Sequence, residues 1–195
     1  MLGLWILASV VACTPVVRAT GEPVGQAASA AADGPAAGQT SAVTAKLMLT
    51  AQAFGKVTFG MHLADAEKLL GEKAPALGEG TGENADCRSV SFKAYPQWRF
   101  MVEHGVVTRA DAYAADHFPQ AENALGVHFG DSLEAVRARH PTVRVQSHKY
   151  DPTGHYLIFL SDDAKSAIVM EEGGGKITAI RGGLEPSVEY VEGCF

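Results

Sequence analysis

The sequence predicts an α+β domain made of two tandem repeats of about 70 residues, each a short helix packed on an antiparallel sheet. Three observations carry this expectation. "VTFGMHLADAEKLLG" at 57 to 71 aligns with "VHFGDSLEAVRARHP" at 127 to 141, matching Val57 with Val127, Phe59 with Phe129, Gly60 with Gly130 and Leu63 with Leu133. At the same offset of 70, Gly105, Val107 and Thr108 of "GVVTRA" meet Gly175, Ile177 and Thr178 of "GKITAI". Each aligned block also begins with apolar residues at helical spacing and runs on into short alternating or β-branched segments. The folded part is expected over 51 to 195, about 145 residues, with repeats over about 54 to 120 and 124 to 195. That length suffices for one compact core.

Ahead of the domain, residues 1 to 12, "MLGLWILASVVA", carry no charged side chain and are about half the length of a membrane-spanning helix. They predict the apolar core of a signal peptide. Val10, Val11 and Ala12 followed by Cys13 resemble the bacterial lipobox. That resemblance implies that Cys13 receives a diacylglycerol, becomes the new N terminus and makes the membrane a partner. The alternative for Cys13 is a buried thiol in an N-terminal strand. A diacyl chain plus a third acyl group exceeds the two signals that stable anchoring needs. Thr14 stands where inner-membrane lipoproteins of enterobacteria carry aspartate, which favours the outer membrane, facing the periplasm. Residues 13 to 50 are dominated by Ala, Gly, Thr, Ser and Pro and bury too little to offset the entropy of ordering. They read as a tether spanning about 30 Å. "AVTAKLMLTAQAF" predicts a short helix at its end.

In the first repeat, Leu63, Ala66, Leu69 and Leu70 fall on one helical face and Gly71 sits at the C-cap position. The strands follow in "CRSVSF", "RFMVEH" and "VVTRADAYA". In the second repeat, Asp131 caps with Glu134, Leu133 and Val136 form the apolar stripe, and Pro141 stops the helix. "VRVQSH", "HYLIFL", "SAIVME" and "KITAIRG" then read as strands, separated by the turn segments "DPTG", "SDDAK" and "EEGGG". A meander of this kind buries one sheet face against its helix.

The net charge of -6, with Lys and Arg scattered, argues against nucleic acid as a partner, because phosphate binding draws on clustered positive charge. With Cys13 assigned to lipid, Cys87 and Cys194 remain. In an oxidising envelope compartment they are expected to pair, the alternative being two free thiols.

The block "GMHLADAEKLLG" followed by "FMVEHGVV" resembles the small outer-membrane assembly lipoproteins of the SmpA/OmlA family. The tandem arrangement resembles the beta-lactamase inhibitory proteins, which carry two helix-plus-antiparallel-sheet repeats. Both resemblances cover residues 57 to 185 and imply a protein-binding or inhibitory surface on an envelope module.

Chemistry is sparser. "FGDSL" at 129 to 133 looks like the nucleophile block of GDSL esterases and would make Ser132 the nucleophile. Only about 60 residues follow it, the partner Asp-x-x-His is missing, and the repeat sets His62 opposite Ser132, so the position reads as a helix start. "SHKYDPTGHY" gathers His148, Tyr150, His155 and Tyr156 around a turn, and "KAYPQWRF" contributes Tyr95 and Trp98. These six are the candidate recognition surface, since Tyr, Trp and His bury area at low entropic cost; core and turn packing is the competing reading. Asp151 with the two histidines has zinc-ligand chemistry, but the other histidines are dispersed and neither metal nor cofactor is expected. The pairs Asp162 with Asp163 and Glu171 with Glu172 read as turn and solvent-face charges, because neighbours in a strand point to opposite faces. "EEGGGK" lacks P-loop spacing. The sequence thus predicts a non-catalytic, lipid-anchored binding module of the cell envelope, in an assembly role or as an inhibitor of an envelope hydrolase.

Overall fold

The computed structural model describes residues 47–77, 86–116 and 121–194. The expected signal peptide, Cys13 and most of the expected tether lie outside the described residues. From Leu47 onward the chain belongs to the compact unit spanning Ala42–Phe195.

That unit is α+β. A two-residue hairpin, β1 (Ala53–Phe54) and β2 (Val57–Thr58), precedes helix α1 (Leu63–Leu70). Strands β3 (Cys87–Val90), β4 (Arg99–Glu103) and β5 (Val106–Tyr113) follow. Helix α2 (Leu133–Arg139) leads into β6 (Arg144–Ser147), β7 (His155–Leu160), β8 (Ser166–Gly173) and β9 (Lys176–Leu184). All seven strands from β3 to β9 form one antiparallel sheet in the order β3-β4-β5-β9-β8-β7-β6. Two meanders therefore meet along β5 and β9, with Asp111 opposite Arg181.

The helix ends follow local chemistry. Gly71 closes α1 in the left-handed region, φ 70°, where only glycine is unstrained. At α2 the N-cap is Ser132, whose hydroxyl accepts the Ala135 N–H at 3.2 Å. Asp131, the expected cap, instead accepts the His128 N–H at 3.1 Å and pairs with Arg139. Those bonds hold its carboxyl below the usual range against the opposing effect of its partial burial.

Strand alternation sorts the sheet into two faces. Val90, Phe100, Val102, Ala110, Leu157, Ile168, Met170 and Ile180 share the main core with Leu63 and Ala66 of α1 and Val136 of α2. The opposite face carries a smaller cluster of Tyr156, Ile158, Ala167 and Val169, covered by Val188 and Val191. It is roofed by residues 185 to 194, here called the C-terminal strap, which includes a 3-10 turn at Ser187–Glu189.

The buried core takes in residues ahead of 51, and the described part of the expected helix, residues 47 to 54, is not helical. Leu49 is completely buried; its N–H donates to Glu122 O and its carbonyl accepts from Ala124 N–H, both at 2.8 Å. Residues 49 and 50 cross β9 at Gly182, where an added Cβ would stand 2.7 Å from Thr50 O and 2.8 Å from the Leu49 side chain. The β-hairpin that follows prevails over helical propensity because Phe54 gains a core position, stacked on Trp98 with ring centroids 3.9 Å apart.

Candidate functional site

The β6–β7 hairpin is built by its own side chains. The His148 ring accepts at Nδ1 from the backbone N–H of Tyr150 (3.2 Å) and Asp151 (3.1 Å). Asp151 Oδ1 accepts the Thr153 N–H at 2.9 Å and its hydroxyl at 2.8 Å. Those two bonds hold the Asp151 carboxyl below its ordinary range. The Gly154 N–H closes the turn on Asp151 O at 3.1 Å, and His148 N–H returns to Gly154 O at 2.9 Å. Gly154 leaves no room for a side chain, since a Cβ would sit 2.7 Å from Glu172 O. At the tip, Tyr150 is 60% exposed, and Lys149 Nζ lies 5.0 Å from its ring centroid while reaching Glu192 Oε1 at 2.9 Å.

The six expected surface residues thus separate. Tyr150 is the exposed aromatic of the hairpin. His148 is mostly covered, stacked on Tyr156 at 4.5 Å, with Nε2 3.8 Å from Glu171 Oε2. His155 Nδ1 lies 2.7 Å from Glu172 Oε2. Tyr156 is a correction: it is buried beneath His148 and beside Arg181, whose guanidinium carbon is 5.7 Å from the ring centroid. Tyr95 and Trp98 are also corrections, being core residues. The Tyr95 hydroxyl accepts the Lys56 N–H at 3.1 Å and lies over Gly55, and Trp98 is 3% exposed against Phe54. Glu171 and Glu172 are not solvent-face charges either, because Glu171 pairs with Arg181 and Glu172 is buried against His155.

The sheet face under the strap holds a polar system that the sequence reading passed over. Arg109 Nε donates to Asp111 Oδ2 at 2.9 Å, and its Nη1 donates to Ser187 O at 3.1 Å and Tyr190 O at 2.7 Å. Arg181 Nε donates to Val188 O at 2.7 Å while its Nη1 meets Glu171. These arginines satisfy strap carbonyls that no strand reaches. Tyr113, beside Asp111, has its phenol pushed up to about 12, first by the Asp111 charge and then by burial. Cys87 and Cys194 fasten the strap to β3 as a disulfide spanning 107 residues, their Cα atoms 5.4 Å apart. Arg144 with Glu189 and Lys149 with Glu192 fasten it to the β6 side. The available signal was alternation: in "VTRADAY" it puts Arg109, Asp111 and Tyr113 on one face of β5.

Ser132 acts as a helix cap, as described, and among the described residues no group of three or more His, Cys, Asp or Glu side chains is arranged to hold a metal ion. No described helix is long and apolar enough to cross a membrane. Comparison with protein-family models, with curated proteins and with solved structures gives no match.

Proposed function

We propose that this chain is a cell-envelope lipoprotein, anchored through Cys13, whose domain is a duplicated helix-and-meander unit that binds a protein without catalysing a reaction. The observation that carries the binding reading is Tyr150. It is a largely exposed aromatic on a turn already fixed by the hydrogen bonds of His148, Asp151 and Thr153. A side chain presented on a rigid turn loses little entropy when it docks, which is how a small patch gains affinity. The Cys87–Cys194 pair suits an oxidising envelope compartment.

The duplication is supported by pairing registers that recur with numbers raised by 70. Arg99↔Asp111, Val102↔Val107 and Glu103↔Val106 correspond to Val169↔Arg181, Glu172↔Ile177 and Gly173↔Lys176. The register shifts fall between Met101 and Val102 and between Glu171 and Glu172. The Gly60 N–H donates to Val107 O at 2.8 Å and the Gly130 N–H to Ile177 O at 2.9 Å. On this reading β6 is the added strand of the second unit, and the hairpin bearing Tyr150 is what distinguishes the two.

A crosslinked pull-down of the tagged, lipidated protein from its own envelope tests the function, with Cys13→Ser and Tyr150→Ala as comparisons. A specific protein captured by wild type and depleted in both variants supports it. Abundant outer-membrane proteins would indicate assembly, and one soluble hydrolase would indicate inhibition. Capture unaffected by Tyr150→Ala removes the hairpin from the account, and an absence of palmitate-analogue labelling at Cys13 removes the anchor.

A further inference from the structure

Away from the hairpin tip, a cleft of about 430 Å³ opens between the first meander and the strap. Its walls include Leu77, Arg99, Tyr113, Val191 and Gly193, and its floor is Arg109 and Asp111. That volume lies within the range of small-molecule sites. Both floor side chains are more than nine-tenths buried, at 5% and 7% exposure. Arg109 also retains unused hydrogen-bonding capacity: its bonds employ Nε and Nη1, leaving Nη2, whereas Asp111 Oδ1 accepts no bond and is fully covered. Gly193 keeps the strap clear of the guanidinium, since a Cβ there would come within 3.3 Å of Nη2.

The charges of the cleft are largely matched. Arg109 faces Asp111, Arg99 Nη2 donates to both carboxylate oxygens of Asp116 at 3.0 and 3.2 Å, and Glu192 turns to Lys149. A charged ligand therefore finds little net attraction. Unused donors on Arg109 and the Tyr113 phenol instead suit hydroxyl groups, which both donate and accept. Leu77 and Val191 supply apolar wall for C–H surface.

We propose that this cleft binds an uncharged polyhydroxyl ligand the size of one or two sugar rings, with hydroxyls directed at Arg109 and Tyr113. The site is independent of the Tyr150 hairpin. Its test is an NMR titration of the whole chain with N-acetylglucosamine, glucose, galactose and maltose, using acetate and methylammonium as charged controls. The backbone amides of Tyr113 and Gly193 and the Arg109 side-chain N–H are followed. The expected result is a saturable shift of these signals with at least one sugar and none with the charged probes. Tyr113→Phe should weaken binding about tenfold while the rest of the spectrum stays in place, and Tyr150→Ala should leave it unchanged. No saturable response to any of the four sugars would overturn the proposal. So would a response confined to the charged probes, or sugar binding that Tyr113→Phe leaves undiminished.

Discussion

On one face of the sheet Phe100, Leu157 and Ile180 are buried with residues of two helices; on the other, Arg109, Asp111 and Arg181 are buried beneath irregular chain at residues 185 to 194. The same strands supply both sets by alternation. Apolar side chains need only a neighbour of the right volume, so the helix-covered face is held by packing that individual contacts do not direct. A buried arginine instead requires specific acceptors, and here they are strap carbonyls and strand carboxylates. The second face is therefore conditional on the strap, and the strap carries Glu192, the partner of Lys149 at the Tyr150 hairpin.

The largest expected effects probe each face at its centre. Phe100→Ala removes a ring that is fully buried and meets Phe92 edge-on at 5.2 Å, and should cost about 3–5 kcal/mol in urea denaturation. Arg181→Met strands Glu171 without its cation and should cost about the same, about 3–5 kcal/mol. The two differ in rescue. Adding Glu171→Gln should recover more than 1 kcal/mol, roughly the coupling expected of groups in direct contact, whereas no single polar change repairs Phe100→Ala. If Glu171→Gln recovers nothing, the two faces are not held by different means.

Next in size is the disulfide. Replacing Cys87 and Cys194 together with alanine should lower stability by about 2–5 kcal/mol. It should also speed amide hydrogen exchange in the strap more than in β7 or β8. Uniform acceleration would mean that the strap is no separate layer. Smaller again, Ser132→Ala on the helix side should cost about 1 kcal/mol by freeing the Ala135 N–H.

The smallest effect is a dependence on pH. Tyr113 keeps its proton up to about 12 in the folded protein, against 10 when unfolded, so between these values the unfolded chain binds fewer protons. Stability should therefore fall as pH rises through that interval, and Tyr113→Phe should flatten the fall. A Tyr113 phenolate forming near pH 10 in the native ultraviolet titration would contradict the burial of this side chain beside Asp111.

Much of this comparison was legible in the sequence on the helix side and little of it on the strap side. The helices and all seven strands announce themselves because periodicity reports directly on one buried face. The pairing of Cys87 with Cys194 was expected from their being the two cysteines left in the domain, and the structure brings them together. Tyr95 and Trp98 were misplaced because their burial depends on Phe54, delivered by a two-residue hairpin too short to leave a periodic trace. Leu49 was assigned to the tether because residues 13 to 50 are mostly small or polar, yet Gly182 makes room for it and Asn123 bridges to it far along the chain. Glu171 and Glu172 looked like surface charge because their partners, Arg181 and His155, lie on neighbouring strands. The strap segment "EPSVEYVEGC" has no period at all; its place is set by backbone carbonyls meeting arginines, which only the fold brings together.

The most direct test of the proposed binding account is a photocrosslinking residue placed at position 150 of the whole chain in the cells that make it, compared with the same residue at exposed position 134 on α2. The account predicts a discrete crosslinked protein from position 150 and none from position 134. No product from position 150, or equal products from both, would contradict it.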